Sequence, residues 1–163
     1  MKNNKIIKIN IAEQRLQLWQ GDDCIFGTRI ATATNGPGEQ FGSECTPRGA
    51  HVIRAKIGAG CEENTVFIAR RPSGEIYSSA LRAEHPDRDW ILTRILWLSG
   101  TEPGKNRLGK VDTMRRYIYI HGCPDEDEIG VPNSHGCIRM RHADVIALFD
   151  LVEVGTPVII SEQ

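Results

Sequence analysis

Near its start the chain places an apolar residue at every second position. Ile7, Ile9 and Ile11 alternate with Lys8 and Asn10, and after Ala12-Glu13-Gln14 a second run sets Leu16 and Leu18 around Gln17. This period suits a strand with one buried and one wet face, whereas a helix would repeat its apolar residues every three to four positions. The two runs predict an opening hairpin. Further strands are predicted over residues 24–34, 51–57, 65–69, 91–98, 117–121 and 158–160, each bounded by Gly, Pro or Asn. From His142 the period changes: Val145, Leu148, Phe149 and Val152 fall at i, i+3, i+4 and i+7, with Asp144 in the first turn and Gly155-Thr156-Pro157 closing the segment. That pattern predicts a helix whose apolar face lies on a sheet. Residues 70–110 hold Trp90, Trp97, many charges and the Gly/Pro-rich stretch from Gly100 to Asn106. They are expected to form a helix or a strand pair, followed by a mobile loop that could cover a site.

No repeat, low-complexity run or linker divides the 163 residues, so residues 1–163 read as one mostly β domain with one or two short helices. Twenty Lys+Arg against 21 Asp+Glu leave a net charge of −1, which argues against nucleic acid or an anionic membrane surface as partner. Fourteen of the 20 cations are Arg, the side chain suited to planar carboxylates, which hints at a small acidic ligand. Residues 1–8 carry the positive charge of an export leader, but no apolar core or small-residue cleavage site follows. No run of about 18 apolar residues is present to span a membrane. A cytoplasmic protein is expected, and its five cysteines (24, 45, 61, 123 and 137) read as free thiols.

Chemistry concentrates in two similar tripeptides 14 residues apart, His121-Gly122-Cys123 and His135-Gly136-Cys137. By period 2, His121 ends a strand on the face of Tyr117 and Tyr119, and Cys137 sits where a turn meets the segment before the helix. A thiol enzyme needs a nucleophile, a base, a group to orient the base, and donors for an oxyanion. Cys137, His121 and the backbone amides around Gly136 and Cys137 supply these parts, Gly letting successive amides converge. A second reading is a His₂Cys₂ zinc site from His121, Cys123, His135 and Cys137, although His-x-Cys spacing is tighter than usual and the acidic run from Asp125 to Glu128 would crowd it. A third makes the same residues ordinary core. Cys123 is read as a small buried residue, with a reversible disulfide to Cys137 as the alternative. His51 and His85 have no chemical neighbours in sequence, and His142 is expected to be exposed.

These residues resemble the catalytic domain of the L,D-transpeptidases, a family of peptidoglycan enzymes. The resemblance rests on Ile120-His121-Gly122, on Gly130-Val131-Pro132, and on Ser134-His135-Gly136-Cys137-Ile138-Arg139-Met140. Thr46-Pro47-Arg48-Gly49 and Gly155-Thr156-Pro157-Val158 support it. It implies a mostly β, sandwich-like fold with Cys137 as nucleophile and His121 as base, and the carbonyl of Gly122 orienting the imidazole. Ser134, His135 and Gly136 would shape the oxyanion pocket, and Arg139 would hold the loop or a substrate carboxylate. The loop between His121 and Ser134 is slightly shorter than in many members, and Cys123 stands where Thr or another small residue is common. The resemblance is strongest to the cytoplasmic L,D-carboxypeptidase branch. It implies hydrolysis of the terminal D-Ala from a free, sugar-linked (muropeptide) or nucleotide-linked tetrapeptide through a thioester, for cell-wall recycling. Cross-linking or D-amino-acid exchange is the alternative, and a non-catalytic zinc scaffold a second one. Arg48, Arg139 and Arg141 are candidate readers of substrate carboxylates, the thiolate is expected to be favoured by a nearby imidazolium, carbapenems are expected to acylate the thiol, and no cofactor or metal is required.

Overall fold

The computed structural model of the protein describes residues 4–163, so the first three residues of the charged amino-terminal segment lie outside the described part. The opening hairpin is present as β1 (Lys5–Asn10) and β2 (Arg15–Gln20), paired antiparallel with Ile7 opposite Leu18 and Ile9 opposite Leu16. Those four side chains are 0–1% exposed, and each contributes about 1.5–3 kcal/mol of apolar burial. A slip of one residue would turn all four to water, so the alternation fixes the register.

The remaining strands are β3 (Asp23–Arg29), β4 (Gly49–Ile57), β5 (Thr65–Ile68), β6 (Arg71–Ile76), β7 (Leu92–Gly100), β8 (Tyr119–Gly122), β9 (Ile138–Met140) and β10 (Pro157–Ser161). They form one ten-stranded sheet in the order β3-β2-β1-β10-β4-β7-β5-β6, and β8 branches from β7 to pair in parallel with β9. The expected mostly β architecture is thus built from a single curled sheet. Ile7, Leu16, Ile53 and Leu98 meet Ile120, Ile138 and Met140 of the branch in one core. The chain closes on itself, because β10 lies parallel to β1.

Helix α1 (Ser79–Glu84) is one short turn capped by Ser78 Oγ, which accepts from the Leu81 amide. Helix α2 (His142–Leu151) buries Val145, Leu148 and Phe149 against the core. Its carboxyl end is satisfied by two cations: Lys5 Nζ donates to the Leu151 carbonyl at 2.6 Å and Lys56 Nζ to that of Val152 at 2.8 Å. Among the described residues no helix is long and apolar enough to cross a membrane.

Three expectations are corrected. The strand expected over 24–34 ends at Arg29, because Thr32 is taken by the buried Gln14, whose Nε2 donates to Thr32 Oγ1 at 2.7 Å and whose Oε1 accepts the Thr32 amide at 2.9 Å. The loop after Gly100 does not cover a site. Asn106, fully buried, donates from Nδ2 to the carbonyls of Arg48 and Ala50 at 3.1 and 2.9 Å and pins that loop to the start of β4. His142 is buried instead of exposed, with Nδ1 2.7 Å from Thr93 Oγ1.

Candidate active site

The parallel pairing of β8 with β9 sets Ile120 opposite Ile138 and His121 opposite Arg139. Cys137, just before β9, therefore lies beside Tyr119, and its Sγ accepts the Tyr119 amide at 3.3 Å and donates to the Tyr117 carbonyl at 3.4 Å. His121 is two residues further along the face that carries Tyr119, about 8 Å from Cys137 between Cα atoms by strand geometry. Both side chains line one cavity of about 470 Å³ with Ser134 and His135. A neighbouring cavity of about 510 Å³ around Phe41, Lys110 and Arg115 shares Arg116 with it and is lined by no cysteine or histidine.

The imidazole has a fixed tautomer. Nδ1–H donates to the Gly122 carbonyl at 2.7 Å, since a carbonyl only accepts, and this leaves Nε2 as the free lone pair. Gly122 is required by space, because a Cβ there would stand 2.7 Å from the Leu92 carbonyl oxygen on β7.

The turn carrying Cys137 is held from three sides. Ser134 Oγ donates to the Cys137 carbonyl at 2.6 Å and accepts the Gly136 amide at 3.1 Å. Thr46, the threonine of the Thr-Pro turn, donates from Oγ1 to the Gly136 carbonyl at 2.9 Å and accepts the Ala33 amide at 3.0 Å. The backbone of Thr32 and Thr34 closes on residues 133–134 through three further bonds. Gly136 itself has φ +133°, and a Cβ would meet Ile118 Cδ1 at 3.1 Å and the Cys45 carbonyl at 3.3 Å. One consequence corrects the expected oxyanion donors: the Gly136 amide is spent on Ser134, which leaves the amide of Cys137 from that pair.

The candidate arginines separate from the cavity. Arg48 binds Glu39 at 2.8 Å and Glu162 at 2.6 Å and lies off the thiol cavity, because β4 begins beside the end of β10. Arg139, buried, holds the loop: it reaches Asp127 at 2.6 Å and Asn133 Oδ1 at 3.1 Å. Arg141 donates to the Asp125 carbonyl at 3.0 Å as α2 begins. The cations that do line the cavity are Arg70 and Arg116, joined by Asp89, and none of the three carries a local sequence signal. The Tyr119 side chain, half of the cavity's aromatic wall, was signalled by its period-2 relation to His121. His135 is exposed at the cavity edge.

Both readings that use Cys123 fail on distance. Cys123 lies one residue beyond the Gly122–Met140 pair and Cys137 one before the Ile120–Ile138 pair, so four rungs, about 13 Å, separate them. A disulfide needs Cα atoms within about 7 Å, and a shared zinc needs both sulfurs about 2.3 Å from one ion. Among the described residues no group of three or more His, Cys, Asp or Glu could hold a metal.

Burial acts against the expected ion pair. Burial pushes the Cys137 thiol up to about 12 and the His121 imidazole down to about 4, because neither charge would be hydrated there. The Asp89 carboxylate raises both, and Arg139 opposes it on both. Burial thus favours the neutral form of each group. Alkylation of Cys137 by iodoacetamide, followed by peptide mapping, should accelerate about tenfold per pH unit from pH 7 to 10, as thiolate is the reactive form. A rate already level at pH 7 would show a preformed thiolate–imidazolium pair and contradict this account.

Comparison with known proteins agrees with the geometry. The family model of the YkuD L,D-transpeptidase catalytic domain matches residues 4–160. A Bacillus subtilis (strain 168) protein named as a candidate L,D-transpeptidase, YqjB, is 44% identical over 48 residues, which are 29% of this chain and 27% of that one. Among solved structures, a cysteine-to-serine mutant of the Enterococcus faecium L,D-transpeptidase superposes with a TM-score of 0.59 at 18% identity, covering 97% of this chain and 50% of the other. The L,D-transpeptidase LdtMt1 in complex with imipenem gives 0.57 at 15% identity, over 98% and 59%. At these identities the structures report a shared fold, and the chain spans only half to three fifths of their length.

Proposed function

Because the chain belongs to the L,D-transpeptidase catalytic-domain family, we propose that it is a cysteine acyl-transfer enzyme acting as an L,D-carboxypeptidase on peptidoglycan-derived tetrapeptides. The observation that carries this reading is the juxtaposition of Cys137 and His121 in one cavity, with His121 Nε2 left free by the Nδ1 bond to Gly122. The substrate is a free or sugar-linked tetrapeptide ending in D-Ala, met in the cytoplasm and recycled as tripeptide. A cavity of about 470 Å³ has the size of a site for a small ligand or a peptide end.

In the reaction, His121 Nε2 takes the Cys137 proton as Sγ attacks the carbonyl carbon between the L-centre of diaminopimelate and D-Ala. The Cys137 amide donates to the oxyanion. The tetrahedral adduct collapses, the C–N bond breaks, and His121 returns the proton to the departing nitrogen, which releases D-alanine and leaves a thioester. Water then attacks with its proton passing to His121, the C–S bond breaks, and the thiol is restored as tripeptide departs. Ser134 and Thr46 keep the turn rigid throughout, and Arg139 anchors its acidic neighbour. No step requires a metal or organic cofactor.

The test is intact-mass and product analysis with L-Ala-γ-D-Glu-diaminopimelate-D-Ala, with and without a competing D-amino acid. Tripeptide and free D-alanine without added amine are expected. Exchange product alone would make the protein a transpeptidase. The same instrument should show Cys137 acylated by imipenem, with the mass of the protein raised by one drug molecule.

A further inference from the structure

Arg70 stands where the backbone resists an arginine. Ile68 pairs with Arg71 across the β5–β6 hairpin, so Ala69-Arg70 is a two-residue loop, and its φ angles are +49° and +64°. Such turns ordinarily take Asn-Gly, because a Cβ is crowded in the left-handed region. Strain of this kind persists where the surrounding structure holds it in place and points to a use.

Here the turn sets the guanidinium over the thiol cavity. Its central carbon is 4.9 Å from the centre of the Trp97 ring and 4.6 Å from that of Tyr117, and NH1 donates to the Tyr119 hydroxyl at 3.1 Å. Tyr117 and Tyr119 are also the residues whose backbone holds Cys137 Sγ. Among the described residues no carboxylate lies within ion-pair distance of Arg70, whereas Arg48, Arg82, Arg88 and Arg139 are all paired. The other cavity cation, Arg116, is spent on the carbonyls of Cys45 and Gly38 at 2.6 and 3.3 Å. Arg70 is thus an oriented guanidinium with donors to spare, a fit for a planar carboxylate. A peptide carbonyl in contact with Sγ lies one residue, less than about 4 Å along the chain, from the next α-carbon. The next acidic group available at that distance is the carboxylate of the residue being released.

We infer that Arg70, with the Tyr119 hydroxyl, docks the free carboxylate of the departing D-amino acid and so restricts cleavage to the last amide of a peptide. The assignment rests on the cleavage reading above and adds its specificity determinant. Neither residue touches the bond being broken; the pair positions its neighbour.

The experiment compares the tetrapeptide ending in D-Ala with the same peptide ending in D-alaninamide, for the unmodified protein, Arg70→Gln and Arg70→Lys. Consumption is counted with water and with an added D-amino acid as acceptor, so the result does not depend on which one prevails. The unmodified protein should prefer the acid by about 10–150-fold in kcat/KM, the size of a charge-assisted hydrogen bond. Arg70→Gln should bring that ratio close to one, mainly by raising KM for the acid, and Arg70→Lys should retain part of it. An unchanged Tm certifies the fold of each variant. A ratio that survives in folded Arg70→Gln, or no preference in the unmodified protein, overturns the assignment. Failure of the unmodified protein to consume either peptide is a different result: it removes the cleavage reading, and the assignment falls with it.

Discussion

Cys137→Ser should abolish turnover of the tetrapeptide, by at least about 10⁴-fold, and His121→Gln should lower it by about 10²–10⁴-fold. The two effects have one origin. Burial pushes the Cys137 thiol up and the His121 imidazole down, which disfavours full proton transfer before attack. Transfer has to accompany formation of the C–S bond, when charge moves from sulfur to the carbonyl oxygen. A serine hydroxyl, far less acidic than a thiol, gains nothing from so weak a base. Glutamine places its amide near the position of Nε2, where it offers no basic lone pair, so His121→Gln removes the base together with the Nδ1 bond to the Gly122 carbonyl. The double variant should be no worse than Cys137→Ser alone, since the residues act as a unit. Release of D-alanine measured by mass spectrometry decides this, and a His121→Gln enzyme retaining more than a tenth of its rate would remove His121 from the proposed role.

The parts of this arrangement that could be read from the sequence are those governed by short-range rules. The hairpin of Ile7, Ile9, Leu16 and Leu18, helix α2 and the strand end that carries His121 all follow from spacing. Each is a segment whose burial pattern repeats along the chain. Strand β6 was invisible for the opposite reason: Arg71-Pro72-Ser73-Gly74-Glu75 offers no apolar alternation, and the strand exists because β5 supplies a partner. The arginines show the same limit. Fourteen similar side chains give a sequence reader no means of telling which are neutralised. Arg48 is occupied by Glu39, nine residues away, and Glu162, 114 residues away. Arg70 and Asp89 reach the cavity only through the packing of a region with no clear period. Cys137 and His121 were legible because they lie close in sequence, one just before β9 and one on β8; the cations facing them were not.

Acidification should unfold the protein well before its carboxylates are all protonated. Two histidines are buried as neutral rings. His51 has Nδ1 3.0 Å from the Gly49 carbonyl and Nε2 2.9 Å from Thr113 Oγ1, and His121 is bonded to Gly122. Burial pushes both down to about 4, against about 6.5 in an unfolded chain. Between pH 6.5 and 4 the unfolded chain binds two protons that the native protein does not. Stability therefore rises with pH across that window and is lost as pH falls through it. At pH 4 the loss is about 3 kcal/mol for each ring, or about 6 kcal/mol together, against a typical total of about 5–15 kcal/mol for a domain. Below pH 4 the native rings protonate as well and this contribution levels off, while carboxylates held low by arginine partners, such as Glu39 beside Arg48, begin to weigh on the fold. Urea unfolding followed by circular dichroism should show the midpoint level above pH 7 and falling steeply from pH 6.5 to 4, with His51→Gln and His121→Gln each removing about half of the slope. A midpoint unchanged between pH 7 and 4.5 would mean that these rings are protonated in the native state. The neutral His121 required for proton transfer from Cys137 would then be missing too, so the stability curve and the proposed chemistry depend on the same buried imidazole.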